Sequence, residues 1–374
     1  MPDILTTHVG SLPRGNELVP LLLERDQGKP YDAAALERLL QAAVEDAVAK
    51  QEAAGISIVS DGELGKIGYS TYVKERLDGF GGHVTRKPAL DLAELPELRR
   101  KLALIMGEQE FVRASCVGPV HLRDLEPCHE DIRRFARALA GRSVRGFLNA
   151  ASPGLITAFQ PNAYYPSHEA YLADLVSAMR PEYATIAASG VQLQLDCPDL
   201  AMARHTGYQD FTEEQFLKIA AANVDALNAA TADIPPEKLR MHVCWGNYEG
   251  PHDHDIPLER VLGIILRARP ATILFEAANA RHEHEWKVWA GARIPEDKVL
   301  APGLIDTRSN CVEHPELIAQ RLERFIAIVG VERVIASTDC GFGTFAGYGK
   351  IDPAVTWKKL RALRAGADIA AARV

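Results

Sequence analysis

The run MHVCWGNYEG at 241–250 places His242 and Cys244 two residues apart at the end of an apolar segment. If that segment is extended, side chains at i and i+2 leave the same face, so the pair offers an imidazole and a thiol together. Two further groups of ligating type end other apolar runs: Glu276 in ATILFEA and Cys340 in STDCGFGTF. An imidazole, two thiols and a carboxylate form a mixed nitrogen, sulfur and oxygen set, which suits Zn(II) in a tetrahedral site. The intervals of 2, 32 and 64 residues match no zinc-finger pattern. A free cysteine is also at home as a small buried hydrophobe, so spacing leaves both readings open. Cys340 lies in a glycine-rich stretch, where a buried apolar role is less natural.

Other polar residues gather at comparable places: His8, Gly10 and Ser11, then Asp61 and Glu63, Asp196 and Cys197, Asp306 and Arg308, and Asp339. An apolar strand needs none of them to fold. In open parallel sheets and barrels alike, chemistry collects at the carboxyl ends of strands. The elements that carry those ends are therefore the next question.

Short apolar segments at 55–60, 147–152, 191–196, 239–245, 271–277, 298–306 and 333–339 read as strands. Between them run segments such as 31–55 and 314–330, with apolar residues at helical spacing and glycine just past the end. Strand–helix alternation over this length predicts an α/β fold with a parallel sheet, open or closed into a (β/α)8 barrel. LTTHVGS near the start and FVRASCVG at 111–118 bring the candidates to nine, one more than a barrel holds. The segment to remove is 111–118, because the cadence breaks down across 64–146. That stretch reads as an insertion over the barrel mouth. No linker or low-complexity segment divides the chain, so residues 1–374 read as one domain.

The 374 residues carry a formal charge of −8, which argues against a nucleic-acid or anionic-membrane surface. The first residues lack a basic start followed by an apolar core, and no run approaches the ~18 apolar residues of a membrane span. Six cysteines lie far apart, which favours free thiols or metal ligands over a disulfide framework. These features lead to the expectation of a cytoplasmic protein; the oligomeric state stays open.

TTHVGSLPR, SDGE at 60–63, LDCPD at 195–199, MHVCW, LFEA, GLID and STDCGFGTF occur in the order seen in the catalytic domain of cobalamin-independent methionine synthase, which the chain resembles over nearly its whole length. The resemblance implies a (β/α)8 barrel that holds zinc through His242, Cys244, Glu276 and Cys340. It also implies a chain without the amino-terminal half of the long two-barrel enzymes. By the same resemblance, the backbone of Val9, Gly10 and Ser11 receives an anionic group of a small thiol substrate, while Glu63 and Asp196 hold its ammonium. Consecutive backbone N–H groups do bind anions, and paired carboxylates suit a cation. Without the resemblance, Glu63 reads nearly as well as a carboxylate at a helix start. Asp306 and Asp339 suit partners that fix a ligand in place.

Two positions depart from the synthases. Where they carry a histidine shortly after the aspartate of GLID, this chain has Arg308, and Cys197 stands where they carry a glutamate. Guanidinium, with a pKa above ~12, donates no proton at neutral pH, but it stabilises an oxyanion or binds a fixed anion. Variant motifs such as HVCWGNYEGPH look closer to the short branch that includes epoxyalkane:coenzyme M transferase. The expected function is thus zinc-dependent alkyl transfer from an alkyl donor to a small thiol such as homocysteine or coenzyme M, with Arg308 catalytic. Methyl transfer to homocysteine from a methyltetrahydrofolate-type or other donor is the alternative, and a non-catalytic thiol- or zinc-binding barrel or a zinc-free decarboxylase are remoter ones. His252, His254, His282 and His284 read as a polar loop and a helix start, and Trp245, Tyr248, Phe342 and Phe345 as core or pocket wall.

Overall fold

The computed structural model describes residues 3–85, 87–106, 113–349 and 351–374. Its strands are β1 (Ile58–Ser60), β2 (Phe80–Gly81), β3 (Ser115–Cys116), β4 (Arg145–Ala151), β5 (Gln192–Asp196), β6 (Leu239–Val243), β7 (Thr272–Phe275) and β8 (Val299–Pro302). Six of them form one parallel sheet in the order β1-β4-β5-β6-β7-β8. Parallel neighbours require crossovers, and helices Glu126–Leu139, His168–Ala188, Glu213–Ala230, Leu258–Ile265 and Trp286–Gly291 occupy the successive connections. All residues of β6 and β7 are buried, as expected for strands covered on both faces.

The sheet curls, and two segments expected to be strands fill the gap between β8 and β1. Ile335 N–H donates to the Leu300 carbonyl at 2.9 Å and Ala336 N–H to Leu5 at 2.9 Å, while Ile58 N–H donates to Thr6 at 3.0 Å. Backbone hydrogen bonds thus continue around the circuit of a TIM-barrel-like α/β fold. These two segments pair through isolated bridges rather than regular ladders. Near the start the cause is local: Thr6 Oγ1 donates to the Gly55 carbonyl at 2.8 Å and Thr7 Oγ1 to Ile58 at 2.9 Å. Side-chain hydroxyls there take partners that a ladder would use.

The expected insertion at 64–146 reaches too far. Helix Glu126–Leu139 packs on helix Ala33–Ala53 and fills the ordinary crossover between β1 and β4, which itself begins at Arg145. The crossover was hidden by its charge: its buried face includes Arg134, paired with Glu37 at 3.1 Å and Asp131 at 2.7 Å. Residues 111 and 112 of the discarded strand candidate lie outside the described residues; Ser115–Cys116 pairs antiparallel with Phe80–Gly81, apart from the main sheet. The earlier part of the stretch does reach the strand-end loops, where Gly68 bridges Phe345 and Asp91 meets Tyr248. No helix among the described residues is long and apolar enough to cross a membrane.

Candidate functional site

The expected strands at 239–245, 271–277 and 298–306 overshoot the observed ones by several residues, and those extra residues carry the chemistry. Parallel register sets Asp196 beside His242 and Val243 beside Phe275, so the loops leaving β5, β6 and β7 emerge side by side. There a ring nitrogen of His242 and the sulfurs of Cys244 and Cys340 lie within 4.8 Å of one another, all three residues buried. Burial lowers the His242 pKa to about 4, which leaves the imidazole in the neutral form that ligates a metal. The hydrogen bond to Cys340, and then burial, push Cys244 well above the usual thiol range, so a nearby cation is needed to ionise it. Three converging borderline-soft donors in a buried site fit a tetrahedral divalent metal with a position left for a further ligand.

Glu276 stands next to these three residues but outside the convergent set. Its Oε1 accepts from Trp245 N–H at 2.7 Å and its Oε2 from Asn279 Nδ2 at 2.6 Å. Asp339 holds the loop that follows: its carboxylate accepts the N–H groups of Ala277 at 2.8 Å, Ala278 at 2.9 Å and Asn279 at 2.9 Å, and Asn279 Nδ2 at 3.0 Å. Asp339 thus fixes the chain behind Glu276. Asp306 differs from the expectation, since its Oδ1 accepts Arg308 N–H at 2.9 Å and Arg308 Nε at 3.3 Å. It orients Arg308 and no ligand, because a carboxylate two residues away is the guanidinium's nearest partner.

One cleft is lined by Val9, Ser11, Glu63, Asp196, His242, Cys244 and Cys340 together, and Arg308 lies outside that lining. Glu63 is no helix-start residue: it sits in a turn after β1, at φ 53°, with its N–H on Asp61 Oδ1 at 2.9 Å. Its Oε2 is buried without a hydrogen-bond partner. Burial, then the charge of Asp196, raise Glu63 to about 8. Asp196 is raised to about 6 by burial, against hydrogen bonds from Asn149 at 3.1 Å and Gln194 at 3.1 Å. Two buried carboxyl groups facing one cleft are an arrangement that a cation relieves. The backbone expected to receive an anion is partly engaged, with Val9 N–H on Thr338 Oγ1 at 3.3 Å and Gly10 N–H on His8 Nδ1 at 3.2 Å. Gly10 is needed as glycine: at φ 145° an added Cβ would lie 2.6 Å from Glu63 Oε1 and 2.5 Å from Asn149 Oδ1.

Sequence reasoning missed Asn149, Gln194, Asn247 and Asn279. The first two are amides inside apolar strands, a signal that was available; both also donate to the Val9 carbonyl. Cys197 is absent from the cleft lining, a buried thiol raised well above its usual range by burial. The histidines divide. His254 pairs with Glu94 near the surface at 2.9 Å. His252 lies in a loop and His282 at a helix start, as expected, but both are buried and share Asp255 Oδ2, each at 2.9 Å, while His282 also meets Glu285 at 2.9 Å. His205 faces the other Asp255 oxygen at 3.3 Å and Tyr248 OH at 3.2 Å. Trp245 stacks on His282 with ring centroids 4.3 Å apart. This network clamps the loops after β5, β6 and β7 around the convergent donors.

Residues 109–355 match the family model described as the catalytic domain of cobalamin-independent synthase. A methionine synthase of Thermococcus kodakarensis is 23% identical, with 99% of this chain and 94% of that one aligned. A 5-methyltetrahydropteroyltriglutamate–homocysteine methyltransferase of Aeromonas salmonicida is 24% identical over 92% of this chain, which spans only 41% of that protein. Among solved structures, a B12-independent methionine synthase from a Shewanella species, in complex with selenomethionine, superposes with a TM-score of 0.72 at 21% identity, covering 100% of this chain and 99% of that one. The chain belongs to the cobalamin-independent synthase catalytic-domain family.

Proposed function

We propose that this protein transfers an alkyl group, methyl in the simplest case, to the sulfur of a small amino-bearing thiol of the homocysteine type, with zinc as its metal. The observation that carries this reading is the unpartnered, buried Glu63 Oε2 beside Asp196, in the same cleft as His242, Cys244 and Cys340. An ammonium group satisfies both carboxylates. The sulfonate of coenzyme M would bring a further negative charge to a pair of buried carboxyl groups that already resist ionising together, so the cleft favours an amino thiol over a sulfonate thiol. The family relative named as a homocysteine methyltransferase agrees with that preference.

His242, Cys244 and Cys340 would hold the zinc, with Glu276 as the fourth donor. Bound zinc supplies a thiolate at neutral pH, where a free thiol of pKa about 8.5 is only a few per cent ionised. Glu63 and Asp196 orient the substrate, and Asn149 and Gln194 hold Asp196. The Ser11 side chain and the neighbouring backbone face the remaining polar end of the substrate. The new carbon–sulfur bond forms as the donor's leaving group departs with its electron pair. Arg308 serves the donor side as a fixed positive charge. It also keeps a second reading in view, the opening of an epoxide whose alkoxide a guanidinium would stabilise. On both readings the fold is a single (β/α)8 barrel with the stretch before Glu126 over its mouth.

Zinc-edge X-ray absorption on the purified protein, alone and with homocysteine or coenzyme M, tests the proposal. Two sulfur neighbours alone and three with homocysteine support it. Three with coenzyme M and two with homocysteine would transfer the assignment to a sulfonate thiol. A protein that takes up no zinc would end both readings.

A further inference from the structure

Arg308 opens onto a second cavity beside the thiol cleft. Thr307, Arg308, Phe342 and Tyr348 line it, and Asn247 and Thr344 belong to both cavities. The dividing wall is tied together: Asn247 Nδ2 donates to the Gly341 carbonyl at 2.8 Å and Thr344 Oγ1 at 2.9 Å, and Thr307 Oγ1 donates to Asn247 Oδ1 at 3.2 Å. The Arg308 side chain is only 15% exposed. Among the described residues it hydrogen-bonds Asp306 alone, through Nε. The terminal nitrogens of its fork therefore have no hydrogen-bond acceptor among the described residues. Glu249 also lines the cavity.

A nearly buried guanidinium whose fork meets a cavity matches a planar anion, which it binds with two parallel hydrogen bonds. Arg308 is absent from the lining of the thiol cleft, where Ser11 and the neighbouring backbone face the polar end of the thiol substrate. We propose that the cavity at Arg308 receives a carboxylate carried by the alkyl donor, beside the cleft in which the donor's reactive carbon meets the thiol. This inference rests on the thiol-alkylation reading above and assigns the donor a chemical class. Asp306 is the positioning residue that aims Arg308.

The test uses zinc-loaded protein with homocysteine and two electrophiles that differ in one charge, iodoacetate and iodoacetamide. In each case the homocysteine sulfur attacks the iodine-bearing carbon. The carbon–sulfur bond forms, the carbon–iodine bond breaks with iodide taking the electron pair, and the thiol proton passes to buffer. Formation of the S-alkylated amino acid is measured by mass, so that reaction at the exposed Cys311 does not count. Wild type is expected to favour iodoacetate, relative to the uncatalysed pair of rates, by about tenfold or more. Arg308→Gln should abolish that preference, read as the ratio of the two rates, with Arg308→Lys in between. Equal preference in wild type and Arg308→Gln overturns the proposal. A second measurement, saturation-transfer NMR of acetate on the thiol-free zinc protein, is expected to show binding that Arg308→Gln removes; binding that survives the substitution also overturns it. Failure of homocysteine to join the zinc in X-ray absorption would sink the thiol reading alone, since the acetate comparison judges the arginine site without any thiol.

Discussion

Replacing Glu63 by glutamine is the sharpest test of how the cleft recognises its thiol. The side chain keeps its shape and loses its charge, at a position 2% exposed where Oε2 has no partner. A hydrogen bond from a substrate ammonium to a buried carboxylate is worth about 1.5–3 kcal/mol, so KM for homocysteine should rise about ten- to 150-fold. The thiol 2-mercaptoethanol has no ammonium, and its KM should change by less than about twofold on the same argument. Stability should move the other way. Burial and Asp196 raise the Glu63 carboxyl to about 8, from ~4.3 in an unfolded chain. The folded protein therefore binds more protons than the unfolded one across that window, and stability falls as pH rises through it. Glutamine removes this loss, so the urea midpoint of the variant should exceed that of wild type above pH 8 and converge with it below about pH 4. Steady-state kinetics with both thiols and urea melts at several pH values give the answer. An equal loss with both thiols, or a variant less stable than wild type at pH 8, would refute the reasoning.

Cys340→Ser should reduce bound zinc, read by metal analysis after dialysis, from one equivalent to nearly none, because only His242 and Cys244 then remain of the convergent donors. In Asp339→Asn, at least one of the N–H groups of Ala277, Ala278 and Asn279 loses its acceptor. A cost of about 1–3 kcal/mol per orphaned donor should appear in urea melts, with zinc affinity lower by about 10–100-fold in a chelator competition. His282→Gln probes the clamp. Burial alone would lower the His282 pKa, but the hydrogen bonds it donates to Asp255 and Glu285 outweigh it and raise the group to about 9. Its contribution is therefore complete below the unfolded value of ~6.5 and lost as pH rises through 9. The variant should be most destabilised relative to wild type at pH 5–6, and a stability gap independent of pH would discount the charge.

Apolar runs with helical segments between them carry the parallel α/β architecture, because the hydrophobic period alone decides which stretches are buried strands. Spacing left the roles of His242, Cys244 and Cys340 open, and the family resemblance grouped them; the structure brings these three donors together and leaves Glu276 outside the set. Charge concealed the helix at 126–139, whose buried face spends Arg134 on Glu37 and Asp131 where apolar periodicity would have been expected. The side-chain settings were not legible at all. Glu276 lies on Trp245 and Asn279, Asp306 on Arg308, and His252 with His282 on Asp255, although the sequence offered each of them other partners. A carboxylate or imidazole at a strand end has several rotamers and several neighbours of similar energy. The residue types and their order therefore determined that histidine, cysteine and carboxylate side chains would gather at one end of the sheet. Only the packing of the loops decided which oxygen stays unpaired and open to a substrate, because desolvation is set by every element that closes over a group and not by its place in the chain.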